Sequence, residues 1–193
     1  MLSKQFYEQN DTMSLAALLL GKTLVHHQHG QRLSGRIVET EAYLFDDPAA
    51  HSFKSKTPRN QPMFETAGHC YIYFIYGMYH CFNVVSGPYG VGEAVLIRAL
   101  EPLEGIPQMR KNRNFVDTKH KDTNLCNGPS KLVLALDIPK SLNGKTLIDG
   151  ALFIEESLNT PFEIVKTTRI GLSKAVDLPY RFYIKNNKYI SKA

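Results

Sequence analysis

A glycine set in a run of strand-forming residues constrains the architecture of this chain more than any other feature. Between Cys70 and Val85 the sequence reads CYIYFIYGMYHCFNVV, with five tyrosines and phenylalanines in its first ten residues and no acidic residue. β-branched and aromatic residues favour pleated, half-buried surfaces, and glycine tolerates the positive φ that a tight hairpin demands. The stretch therefore predicts two strands, Tyr71 to Ile75 and Tyr79 to Val85, joined by a turn around Gly77. Alternation puts Tyr71, Tyr73 and Ile75 on one face. Tyr76 falls in the turn, where no sheet is available to pack against, and is expected to point toward a partner. Tyr71 is assigned to packing and Tyr79 to a supporting or core role. Such a concentration of rings is either core or a stacking surface for flat molecules such as nucleobases.

The rest of the chain predicts a single α+β domain over residues 1–193, a normal size for one domain. NDTMSLAALLLGKTLVHH reads as a short helix capped near Asp11 or Thr12 and stopped by Gly21, with a strand from about Thr23. GRIVETEAYL alternates, placing Ile37, Glu39, Glu41 and Tyr43 on one face and Val38, Thr40, Ala42 and Leu44 on the other. Residues 45–69 form a long polar loop of the kind that carries function. EAVLIRALEP is an apolar strand in which Arg98 demands a partner. NGPSKLVLAL is a helix entered through Gly128 and Pro129, with an N-terminus suited to phosphate. ALFIEE, FEIVKTTRIG and YRFYIKNNKYIS read as strands, the last as a hairpin through Asn186 and Asn187. The expected architecture is a mixed, mainly antiparallel curved β-sheet with a protruding hairpin and several peripheral helices.

Charge and cysteine content narrow the function classes. The net charge of +5 favours anionic partners. Basic residues cluster in RKNRNFVDTKHK (Arg110 to Lys121) and HSFKSKTPRNQ, which are either solvated faces or phosphate-contacting ones. Three cysteines are an odd number, which fits a reducing compartment rather than a disulfide framework. No apolar run approaches the roughly 20 residues of a spanning helix, and MLSKQFYEQNDTM carries no export signal. A cytoplasmic protein is expected, associated with the nucleoid if bacterial. His69-Cys70 and His80-Cys81 lack zinc-ligand spacing, so no metal is expected. Signatures of nucleotide triphosphatases, serine hydrolases and zincins are absent from the sequence.

Glu39 and Glu41 are the acid-base candidates. Two residues apart on one strand, their Cα atoms stand roughly 6.5 to 7 Å apart on the same face. Such a pair is compatible with inverting sugar hydrolysis, and equally with ordinary exposed carboxylates. Glu41 is distinguished by Tyr43 two residues on and by the basic loop that follows. A carboxylate beside an aromatic surface suits activation of water against an anionic substrate carrying a flat ring.

Six blocks in chain order, GRIVETEAYL, AAHSFKSKTPRNQPMF, YIYFIYGMYHCFNVV, AVLIRALEPLEG, NGPSKL and RIG…YRFYI, resemble the alkyladenine (3-methyladenine) DNA glycosylase family. This is the vertebrate type also found in bacteria, the likeness covers nearly the whole chain, and a compact form without an added N-terminal tail is expected. The resemblance implies a monofunctional, cofactor-free and monomeric base-excision-repair hydrolase without lyase activity. Its implied partner is double-stranded DNA containing damaged purines. The enzyme would flip alkylated purines, with hypoxanthine and ethenoadenine as further lesions, and hydrolyse their N-glycosidic bonds.

Matched motifs assign residues to that reaction. By the resemblance, Glu41 is the general base, and Arg98 and the backbone carbonyl of Ile170 hold the attacking water. Tyr43, His51 and Tyr73 stack on the flipped base, backbone groups near Ala49 and His51 read its edge, and Asn83 crowds the 2-amino position of guanine. Tyr76 is the wedge inserted into the duplex, and Met63 and Lys131 are candidate DNA contacts. The chain departs from the family pattern at Ser173, where many relatives show a second glycine.

Overall fold

The computed structural model describes residues 1–75, 77–115, 119–157 and 161–192. Its strands are β1 (Thr23–Gln28), β2 (Gln31–Tyr43), β3 (Cys70–Ile75), β4 (Tyr79–Val85), β5 (Ala94–Glu104), β6 (Leu152–Glu155), β7 (Ile164–Thr167) and β8 (Arg181–Ile184). Helices α1 (Lys4–Glu8), α2 (Thr12–Leu18), α3 (Ile106–Asn112) and α4 (Pro129–Ala135) surround the sheet. Asp11 caps α2 through Oδ1, which accepts from the Met13 and Ser14 amides, as its sequence predicts. The expected helix at Pro129 forms with proline in its first turn. α1, capped by Ser3, has no counterpart in the sequence reading.

β2 is the spine of the sheet. One edge pairs with β5 from Ser34 to Tyr43; the other pairs first with β1 and then, from Glu39 to Glu41, with β8. The order β3-β4-β5-β2-β1-β6 continues outward from that spine, and β7 joins through β8. Every pairing among the described strands is antiparallel, so the mainly antiparallel sheet expected contains no parallel pair there. α2 covers one face, where the Thr40 hydroxyl donates to the Ala16 carbonyl at 2.8 Å. The main core joins Leu15, Leu19, Val38, Ile97 and Leu132. Among the described residues no helix is long and apolar enough to cross a membrane.

Two compensating irregularities sit at the middle of the spine. From Ile37 to Glu39, β2 advances two residues while β5 advances one, and from Glu39 to Thr40 the imbalance reverses at Arg98. Bulges of this kind re-aim side chains and recur beside active sites. Strict alternation therefore fails across Val38. Ile37 joins the main apolar cluster, whereas Glu39, Glu41 and Arg98 are brought together.

Several expectations change at the periphery. Ile75 pairs with Tyr79 across the predicted hairpin, and Gly77 takes a φ of 69°; Tyr76 lies outside the described residues, as do Val116 to Thr118 of the basic run. Tyr79 is 38% exposed, which removes the core alternative from its expected supporting or core role. The hairpin through Asn186 and Asn187 does not form. β8 is already paired on both sides, by β2 and β7, so a returning strand has no free edge; the tail instead folds back to place Ser191 on Glu39.

Gly35 sits at a further register shift of β2 against β5. A Cβ there would stand 2.9 Å from Leu100 Cβ and 3.1 Å from the Glu101 carbonyl oxygen. Gly35→Ala is expected to destabilise the fold by about 1–3 kcal/mol through overpacking, read as a lowered urea midpoint at unchanged slope. An unchanged midpoint would show that the two strands part freely at this point.

Candidate active site

A cavity of about 300 Å³ opens between the β3–β4–β5 side of the sheet, the 47–60 loop, the start of α4 and the 170–172 segment. Its lining includes the predicted Tyr43, Ala49, His51, Met63, Tyr73, Asn83, Arg98 and Ile170. The expected face of β3 also holds, because Tyr71, Tyr73 and Ile75 all border this space. Tyr71 is both packing and wall: it is 1% exposed, and its hydroxyl lies 2.8 Å from His51 Nδ1. The His51 ring stands edge-on to Tyr73, with centroids 4.5 Å apart.

The loop that carries Ala49 and His51 is fastened both within itself and to the segment before β5. Asp47 Oδ1 accepts from the Ala49 amide, Asn60 Nδ2 donates to the His51 carbonyl, and the Ser52 hydroxyl donates to the Gly92 carbonyl. Asn83 Nδ2 donates to the Tyr71 carbonyl at 3.0 Å, which fixes the amide in the wall. Met63 is 2% exposed and borders the cavity rather than the outer surface. Lys131 is not a wall residue, although Pro129 and Ser130 before it are. Its ammonium donates to Asn127 Oδ1, and burial together with the Arg113 charge holds its pKa below the usual lysine range.

Glu41 is fully buried immediately behind this wall. Oε1 accepts from the Ile170 amide at 2.9 Å and lies 3.1 Å from Arg98 Nη1, while Oε2 accepts from the Tyr43 hydroxyl at 2.8 Å. All three partners line the cavity. A carboxylate has about four lone-pair sites, so one acceptor position on Oε2 is left after these contacts. Burial and the Glu41 charge raise the Tyr43 phenol well above its usual pKa, so the tyrosine acts as a donor to the carboxylate.

Glu39 has a different environment. Oε1 accepts from Arg181 Nε at 2.6 Å and from the Ser191 hydroxyl at 2.9 Å, and Oε2 accepts from the Ser191 amide at 2.6 Å. Arg98 Nε stands 3.3 Å from Oε1 as an ion pair and makes no hydrogen bond. Burial alone would lower the Arg98 pKa, but the Glu41 and Glu39 charges outweigh it and the value is raised. Both carboxylates are therefore buried, which overturns the reading of them as ordinary exposed residues. The sequence reading missed Arg181, although it was visible: an arginine embedded in YRFYI needs a partner for the same reason as Arg98 in LIRAL. Asp47 and Ser191 lie in no matched motif, and Arg169, the first residue of RIG, drew no role from it. Among the described residues no group of three His, Cys, Asp or Glu is placed to hold a metal ion, and the three cysteines are free and buried.

Residues 5–188 match the family model described as methylpurine-DNA glycosylase. A Francisella tularensis protein named "Putative 3-methyladenine DNA glycosylase" is 50% identical over 185 residues, covering 94% of each chain. Proteins of the same name from Methanoculleus marisnigri and Carboxydothermus hydrogenoformans are 49% and 48% identical, covering 99% and 100% of this chain and 98% and 99% of their own. The chain belongs to the methylpurine-DNA glycosylase family, a family of DNA-repair hydrolases.

His51 yields a pH prediction. It keeps an exposed side, but loss of water around the ring, followed by the Arg59 charge, pushes its pKa below 6.5. The unfolded chain therefore takes up this proton at a higher pH than the folded chain, so the contribution of His51 to stability falls as pH drops below 6.5. A histidine NMR titration is expected to place the His51 midpoint below 6.5. A midpoint at or above that value would mean that the ring is hydrated as a free imidazole.

Proposed function

We propose that this chain is a base-excision-repair DNA glycosylase that extrudes alkylated purines from duplex DNA and hydrolyses their N-glycosidic bonds with water activated by Glu41. One observation carries the reading: the three partners of a fully buried carboxylate, Tyr43, Arg98 and Ile170, are themselves walls of one aromatic cavity. The cavity lies at the small end of the range of about 300–1,000 Å³ for ligand pockets, which suits a single base.

Tyr43, His51 and Tyr73 would hold the extruded ring, and Tyr76 would fill the gap in the duplex. Flipping costs a few kcal/mol, and each stacked base returns about 1–3 kcal/mol. Entry of the base beside Tyr43 would bring water to the unfilled position on Oε2, with Arg98 and the Ile170 carbonyl as further holders. Base assistance of this kind contributes about 10² to 10⁴ in rate. A 3- or 7-alkylated purine is already cationic and leaves readily, whereas hypoxanthine and ethenoadenine require protonation as they depart. No lysine is among the described residues that line the cavity, which supports base release without strand cleavage.

A damage-binding protein without hydrolysis is the competing reading, and the complete burial of Glu41 is the observation in its favour. The sugar-hydrolase reading loses support because Glu39 is engaged by Arg181 and Ser191. Glu41→Gln is expected to bind a 7-methylguanine duplex as the unaltered chain does and to lose base release by about 10² or more, measured in single-turnover assays. Equal release by both proteins would remove Glu41 from the chemistry. Tyr76→Ala is expected to weaken lesion binding by about tenfold with little change in Tm; a large drop in Tm would instead mark the side chain as core.

A further inference from the structure

We propose that Arg169 and Asp47 are positioning residues, a buried clamp that holds the catalytic carboxylate and the base-reading loop in register. The inference rests on the glycosylase reading of the cavity. Neither side chain has any exposed surface. Arg169 grips Asp47 with both terminal nitrogens, Nη2 donating to Oδ1 at 3.0 Å and Nη1 to Oδ2, and Nη1 also donates to the Ala42 carbonyl at 2.9 Å. The guanidinium lies over two rings, 4.6 Å from the Tyr43 centroid and 5.2 Å from that of Tyr180.

The clamp reaches the reaction site in three directions. Toward Tyr43, the guanidinium lies against the ring whose hydroxyl donates to Glu41. Along its own backbone, the next residue is Ile170, whose amide donates to Glu41 Oε1. Through Asp47, the Oδ1 that accepts from Arg169 also accepts from the Ala49 amide, at the start of the loop that brings His51 to the cavity. A buried ion pair is a poor device for stability, because desolvation of both charges offsets much of their attraction. The planar fork of an arginine, by contrast, defines direction as well as distance. Arg169 Nε has no partner, so the contacts that hold the residue are those that tie the three segments together. The pair touches neither the base nor the water and acts through Tyr43, Ile170 and Ala49.

The test compares the full chain with Arg169→Lys, Asp47→Asn and the double variant Asp47→Asn/Arg169→Met on a duplex carrying one 7-methylguanine. The double variant leaves no unpaired charge, so it is expected to fold even where a single variant does not. Folded variants are expected to bind the same duplex without the lesion with Kd within about threefold of the unaltered chain. Their single-turnover release should nevertheless be slower by about ten- to a hundredfold, the scale on which misplacement acts. A folded variant that releases base at the unaltered rate overturns the clamp while leaving the glycosylase reading intact. Failure of all three variants to fold overturns it too, by assigning the pair to stability alone. Absence of base release by the unaltered chain defeats the glycosylase reading and the clamp with it.

Discussion

Two carboxylates two residues apart on one buried strand must be neutralised, and much of the molecule is arranged around that requirement. Glu39 and Glu41 have no exposed surface, and removing one member of a buried charge pair costs about 3–5 kcal/mol. Arg98 reaches both from the neighbouring strand, at the point where β5 carries an extra residue against β2. Arg181 arrives on β8, which takes the edge of β2 where β1 leaves it. The tail beyond β8 delivers the Ser191 amide and hydroxyl. Branching of the sheet, the paired bulges and the returning C-terminal segment are thus different solutions to one electrostatic problem.

The two carboxylates are held by different sets of partners. Glu39 is bound to partners that themselves sit away from the cavity, apart from the shared Arg98. Every partner of Glu41 is a cavity wall. One group therefore anchors the strand, while the other stands a single side chain away from the cavity. Tyr43 lies at the boundary, with its ring facing the cavity and its hydroxyl on the carboxylate, so occupancy of the cavity and access to Glu41 are coupled through one residue.

Features that depend on local pattern were legible in the sequence. Gly77 announced the β3–β4 hairpin, Asp11 the start of α2, Pro129 the start of α4, and the lone Arg98 in an apolar strand announced its need for a partner. Matched motifs also named eight residues of the cavity wall, from Tyr43 to Ile170. Features that depend on tertiary pairing were not legible. A period-two reading of GRIVETEAYL carries no sign of the bulge at Val38, because a bulge is a relation between two strands. Asp47 sits in a polar loop whose composition predicts exposure, yet Arg169, more than a hundred residues away, draws it fully inside. Asn186 and Asn187 carry genuine turn chemistry, but β8 has no free edge to receive a partner.

The most direct test of the central claim is a crystal structure of the chain bound to a duplex whose single lesion carries a 2′-fluoro group that slows glycosidic cleavage. The account predicts the lesion base inside the cavity against Tyr43, His51 and Tyr73, with a water about 3 Å from Glu41, in contact with Arg98 and facing C1′. A base still stacked in the duplex, or one lodged in the cavity with Glu41 sealed behind Tyr43 and no water in reach, would contradict it.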